Sequence, residues 1–169
     1  IVSLLAALNT IQAGFQVAVM TPTEILARQH FNLAKKLYPK NINIELIFGK
    51  SEYKKKKEII NKLQNDKINI IFGTHAIFQN KINFKKLGLI IIDEQHKFGV
   101  NQRKRLSDKG GIDCDILLMS ATPIPRTLTM TIYGDMDIST IREKPKNRNP
   151  IKTYSKLESK IDDILNFVK

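Results

Sequence analysis

The sequence predicts an α/β fold, a parallel sheet with helices on both faces, and three observations carry the prediction. Short apolar runs alternate with helix-spaced segments through the chain. Several of those runs, such as residues 87–92 and 116–119, are continuously apolar rather than alternating, as strands covered on both faces are. Each run closes on a cluster of Gly, Thr, Ser, Pro or Asp, the punctuation of a strand handing over to a turn or helix.

Taken in order, residues 1–13 place Ile1, Leu4, Leu5, Leu8 and Ile11 at helical spacing, and Gly14 stops the helix. The segment carries no charge, which predicts a buried helix. Its apolar first residue and missing initiator Met lead us to expect that the chain starts partway into a helix. Residues 15–20 read as a strand. Thr23 is placed to cap a helix that runs to about residue 37 and ends before Pro39. Residues 42–48 form the next strand, turning at Gly49, and the Lys-rich stretch 52–63 the next helix. Strands follow at 68–72 and 87–92, then a short helix at 101–109 closed by Gly110 and Gly111. A strand at 116–120 and a helix at 126–133 closed by Gly134 complete the alternation. Residues 143–150 are charged, hold two prolines and lack apolar side chains, so they read as a linker. The expected organisation is one domain over 1–142, the linker, and the opening of a second domain over 151–169, with an extended piece at 151–154 and an amphipathic stretch at 161–168.

Size and composition bound the function. At 169 residues and 42% hydrophobic, the chain suits one cored domain and a small remainder. No apolar run approaches the roughly 18 residues of a membrane span, and no basic n-region precedes an apolar h-region. The single cysteine, Cys114, cannot form an internal disulfide, which fits a reducing compartment and a cytoplasmic location. It reads as a small residue at a strand start, with no nucleophile's partners nearby in sequence. The 28 basic and 16 acidic residues give a net charge of +12, a balance that attracts phosphate backbones. The Lys excess comes with an excess of Ile and Asn, however, and the run Lys54–Lys57 reads as the exposed start of a helix, so charge alone assigns no function.

The chemistry is expected at the carboxyl ends of the strands, where open α/β sheets bind ligands. Four polar clusters fall there: Thr21-Pro22-Thr23, Gly73-Thr74-His75, Asp93-Glu94-Gln95-His96 and Ser120-Ala121-Thr122. Two adjacent carboxylates after a buried strand repel each other and resist desolvation, a cost that a divalent cation relieves. One carboxylate holding Mg²⁺ through water, beside a second group that positions the attacking water, is the arrangement of phosphoryl transfer. His75 and His96 lack acidic or Cys partners at ligand spacing, and His30 reads as a surface or boundary residue of a helix. Gly49-Lys50-Ser51 imitates the end of a phosphate-binding loop. Its first glycine would have to stand at position 44, which is Ile44, within a strand, so it is rejected.

Together these clusters resemble the superfamily-2 DExH helicases, whose motor is two RecA-like domains. Asp93-Glu94-Gln95-His96 is similar to motif II, Ser120-Ala121-Thr122 to motif III, Pro22-Thr23-Glu24 to motif Ia, and Gly73-Thr74-His75-Ala76 to the strand-end motif before motif II. The strings Phe98-Gly99-Val100, Gln102-Arg103 and residues 121–128 resemble both the RecG group and the transcription-repair coupling factor, and Asp93-Glu94-Gln95-His96 with Tyr133-Gly134-Asp135-Met136-Asp137 narrows the resemblance to the RecG group. The resemblance implies a RecA-like parallel sheet with ATP and Mg²⁺ as cofactors. Asp93 would hold the metal through water and Glu94 would activate the hydrolytic water. Gln95, His96, Ser120 and Thr122 would couple nucleotide state to movement, while Pro22, Thr23, Gly73 and Thr74 would touch the DNA backbone. It implies a monomeric, ATP-dependent translocase of branched or duplex DNA that remodels stalled forks and Holliday junctions in recombination and repair. The family's Walker A loop would precede residue 1, so the expected sheet lacks the P-loop strand and the chain alone is expected to be inactive. Two other readings stand beside it: a non-catalytic nucleic-acid-binding remnant, and the motor of the transcription-repair coupling factor.

Overall fold

The computed structural model describes residues 1–78, 82–94, 114–121, 137–141, 143, 153 and 155–168. The helices expected at 101–109 and 126–133, the extended piece at 151–154 apart from Thr153, and the linker apart from Glu143 lie outside the described residues. The chain divides into two compact units, 1–123 and 124–169.

As far as it is described, the first unit alternates helices and strands as the sequence predicts. The described order is α1 (Val2–Gln12), β1 (Gln16–Met20), α2 (Glu24–Leu37), β2 (Ile44–Ile47), α3 (Tyr53–Gln64), β3 (Ile70–Gly73), a 3₁₀ turn (His75–Phe78), β4 (Leu87–Ile92) and β5 (Asp115–Leu118). The five strands form one sheet in the order β2-β3-β1-β4-β5, and every pairing is parallel. The pairing is unbroken from edge to edge, so a further strand would join outside β2 or β5 rather than between the strands seen.

Side-chain alternation splits the core into two layers. Ala18, Met20, Ile71, Ile90 and Ile92 face one way and pack with Ile59 and Leu63 of α3. Val17, Val19, Ile70, Phe72, Leu89 and Ile91 face the other way, against Leu4 and Ala7 of α1 and Ala34 of α2. Successive strand residues point to opposite faces, so β1, β3 and β4 must be apolar at every step to be buried on both sides. That is why their runs do not alternate. The edge strands are covered less: Ile44, Glu45 and Leu46 of β2 and Ile116, Leu117 and Leu118 of β5 are half-buried.

Several strand ends were read too generously, the start of β3 among them, which falls at Ile70 rather than Ile68. Ile42 is not in β2 but in a turn in which its N–H donates to the Pro39 carbonyl at 3.1 Å, and β5 stops at Leu118, two residues before the expected end. The buried α1 was also wrong in part. Only Ser3, Leu4 and Ala7 are buried, whereas Ile1, Val2 and Leu5 are 76%, 63% and 58% exposed. An uncharged helix can still present one face to the sheet and leave the other open.

Two local devices set the sheet's amino end. Between Gln16 and Val17 the β1–β4 register slips, skipping Gly88; a Cβ at Gly88 would come within 2.6 Å of the Phe15 Cβ, so only glycine fits this bulge. Gln16 itself is 1% exposed. Its amide nitrogen donates to the Leu63 and Ile68 carbonyls, both at 2.9 Å, and its amide oxygen accepts from the N–H groups of Lys85 at 2.8 Å and Lys86 at 3.1 Å. One side chain thereby ties the start of β1 to the end of α3 and to the chain entering β3 and β4.

Among the described residues of the second unit, a 3₁₀ turn (Glu158–Lys160) leads into α4 (Ile161–Val168). It matches the expected amphipathic stretch.

Candidate functional site

The carboxyl rim is assembled by register. Met20 is level with Gly73 on one side and Ile92 on the other, and Ile92 is level with Leu118. The ladder continues one step beyond the strands: Thr21 N–H donates to Gly73 O at 3.0 Å, Asp93 N–H to Met20 O at 2.9 Å, and Met119 N–H to Ile92 O at 2.8 Å. Thr21, Thr74, Asp93 and Met119 therefore stand at one level, with Glu94 and Ser120 the next step out on neighbouring strands. The acidic pair and Ser120 lie on the same rim, as a shared site requires. Gln95, His96 and Thr122 lie outside the described residues.

Asp93 is held on both carboxylate oxygens. The Glu94 N–H donates to Oδ1 at 3.0 Å, and Nε2 of His30, 63 residues away on α2, lies 2.9 Å from Oδ2. An ionised carboxylate only accepts, so His30 is the donor, through the Nε2–H tautomer. This hydrogen bond holds the Asp93 carboxyl below its ordinary range; burial pushes the other way, and the charge of a protonated His30 and the Glu94 N–H help lower it. Asp93 thus stays ionised while its side chain is 18% exposed. Glu94 follows at φ 51°, a left-handed conformation uncommon for a residue with a side chain and typical of functional turns.

The motif Ia residues shape the start of α2. Thr21 is buried and its hydroxyl donates to the Thr23 carbonyl at 2.9 Å. The Thr23 hydroxyl accepts from Leu26 N–H at 3.3 Å, the cap that the sequence predicts. Thr23 is exposed and Pro22 half-buried. At the end of β3, Gly73 lies so close to the Ile47 carbonyl that a Cβ there would collide with it. Thr74 is 5% exposed. The rejected Gly49-Lys50-Ser51 string is a closed turn: Ser51 Oγ accepts from Phe48 N–H at 3.0 Å, and Ser51 N–H donates to Phe48 O at 3.2 Å.

Sequence reasoning missed His30. Its helix position gave no sign of a partner, and the one available signal was its setting between Ala27 and Ala34, both fully buried. Small residues on the face that meets the sheet let the helix come close enough for a side chain between them to reach the rim.

Comparison with known proteins agrees with this geometry. The sequence model described as DEAD/DEAH box helicase matches residues 1–131. The chain is 47% identical over 171 residues to a protein of Borreliella burgdorferi named ATP-dependent DNA helicase RecG, and 45% identical over 169 residues to the protein of that name in Bacillus subtilis. These alignments take in 100% and 99% of this chain but 25% of each relative, so the chain spans about a quarter of their length. A solved structure of RecG bound to a three-way DNA junction superposes with a TM-score of 0.81 at 40% identity, over 99% of this chain and 22% of that one.

Proposed function

Because the chain belongs to the DEAD/DEAH box helicase family, we propose that it is the first motor domain, with the opening of a second, of an ATP-dependent DNA helicase of the RecG type that remodels branched DNA in recombination and repair. Residues 1–142 are the first RecA-like domain, 143–150 the linker and 151–169 the start of the second. The observation that carries the reading is the ionised Asp93, held at the carboxyl rim one strand from Ser120. Likeness to helicases along the whole chain favours a motor over a non-catalytic remnant, and the RecG names favour it over the coupling factor.

ATP and Mg²⁺ are the cofactors, and the residues present fit the metal. Each Asp93 oxygen already accepts one hydrogen bond and keeps a lone pair free. That suits accepting from metal-bound water at a partly open rim better than direct bidentate ligation. When bound, Mg²⁺ neutralises charge developing on the transferring phosphate. This chain's part is to hold Asp93 ionised and oriented, and to present Glu94 one step further out as the base for the attacking water. Ser120 and Thr122, with Gln95 and His96, relay phosphate occupancy along the rim. Pro22, Thr23, Gly73 and Thr74 form the DNA-facing side; the exposed Thr23 is the side chain there most open to a phosphate backbone. The protein acts as a cytoplasmic monomer.

The test uses the full-length protein that carries this sequence, with and without a three-way DNA junction. Glu94→Gln removes the base and lowers DNA-stimulated ATP hydrolysis at least about 100-fold, the usual worth of general-base catalysis, while nucleotide binding persists. Turnover unchanged by Glu94→Gln and by Asp93→Asn would overturn the reading.

A further inference from the structure

We infer that His30 is a positioning residue for the acidic pair: its Nε2–H fixes the Asp93 carboxylate in the orientation that receives the metal's water. The inference rests on the proposed reading of Asp93 as the metal-holding group.

Three observations carry it. The first is the contact, 2.9 Å between Nε2 and Oδ2, with both side chains partly buried at 26% and 18% exposure. The second is completeness. Glu94 N–H occupies Oδ1 and His30 occupies Oδ2, so neither oxygen can swing without losing a charge-assisted bond. A side chain with two free torsions is thereby held in one rotamer. The third is the support behind His30. It lies on the face of α2 that also carries Ala27 and Ala34, three residues before and four after it, and both are buried to 0%. The same helix opens at the Thr23 cap, about 10 Å from His30 along the axis at 1.5 Å per residue. His30 therefore hangs from a helix that is capped at another of the rim's polar clusters. Groups that orient a ligand in this way typically change metal affinity 10- to 100-fold when removed.

The experiment measures binding rather than turnover. Free Mn²⁺ is counted by electron paramagnetic resonance as it is titrated into the full-length protein carrying this sequence, in the presence of ADP. Wild type is compared with His30→Gln, His30→Leu and Asp93→Asn. Gln can place an amide N–H near the position of Nε2, whereas Leu fills the space without a donor. We expect His30→Leu to weaken Mn²⁺ binding at least about 10-fold, and His30→Gln to remain within about 3-fold of wild type. Thermal midpoints of the two His30 variants that agree with each other show that the difference is not one of folding. Binding by His30→Leu equal to wild type, with Asp93→Asn weakened, overturns the positioning role and leaves the metal reading intact. The same follows if Gln is as poor as Leu. If Asp93→Asn also binds as wild type does, the metal reading itself falls, and the inference with it.

Discussion

Replacing Gln16 with Leu tests whether one buried amide holds the amino end of the sheet together. The two side chains are close in volume, so the change removes polarity with little change in packing. All four hydrogen-bonding positions of the amide are in use: two donated bonds of 2.9 Å to the Leu63 and Ile68 carbonyls, and two accepted bonds of 2.8 and 3.1 Å from Lys85 and Lys86. Leucine leaves those four backbone groups without this partner. A buried polar group stripped of its partner costs about 1–3 kcal/mol. The bonds to the carbonyls are buried, and those from Lys85 and Lys86 are part-buried, where water can make good some of the loss. The Leu63 carbonyl keeps the Asp66 N–H at 3.3 Å as a second donor, so together the expected loss is about 2–4 kcal/mol, a large share of the roughly 5–15 kcal/mol that holds a domain folded. Urea unfolding followed by far-ultraviolet circular dichroism measures it, with hydrogen exchange at the Lys85 and Lys86 amides as a local reading should the variant unfold outright. Gln16→Glu sharpens the test. Its buried carboxyl keeps the acceptor half but must be protonated to donate, so its pKa is raised in the fold and this variant gains stability as pH falls. A loss below about 1 kcal/mol in Gln16→Leu, with an unchanged urea slope, would refute the reasoning.

Two further outcomes follow from a buried and a half-buried group. The Tyr38 hydroxyl donates to the Leu4 carbonyl at 2.6 Å, pinning α1 to the end of α2, and Tyr38→Phe should cost about 1 kcal/mol in the same urea assay. Burial pushes the Tyr38 hydroxyl up to about 12 from 10.0; the neutral form is favoured in the fold, so its contribution is intact below pH 10 and is lost as pH rises towards 12. Tyr38→Phe should lack that alkaline slope. Cys114 packs at the edge of the core beside β5, where burial, aided by the Asp115 charge, pushes its thiol up to about 11. Since only the thiolate reacts, iodoacetamide at pH 8 should label the native chain roughly 200-fold more slowly than an ordinary cysteine of pKa about 8.5. Labelling should reach the ordinary rate in urea; equal rates in both states would refute the burial argument.

Local pattern was enough to read the helices and strands of the first unit that the structure describes, because burial on both faces demands apolar side chains at every step of β1, β3 and β4. It was also enough to name the rim, because polar residues directly after such runs have only a strand's end to occupy. The Thr23 cap was legible for the same reason: its donor lies three residues away. Errors entered where apolar character did not distinguish pairing from turning, as at Ile42, or one helix face from the other, as in α1. Tertiary structure alone decided the strand order β2-β3-β1-β4-β5, which brings residues distant in sequence to one level. It also decided two of the contacts that the tests above probe: His30 on Asp93, 63 residues apart, and Gln16 on groups 47 to 70 residues away. Neither residue carries a local signature of its partner. A hydrogen bond forms only where donor and acceptor meet within about 3 Å, and between distant residues that distance is set by helix packing and sheet register.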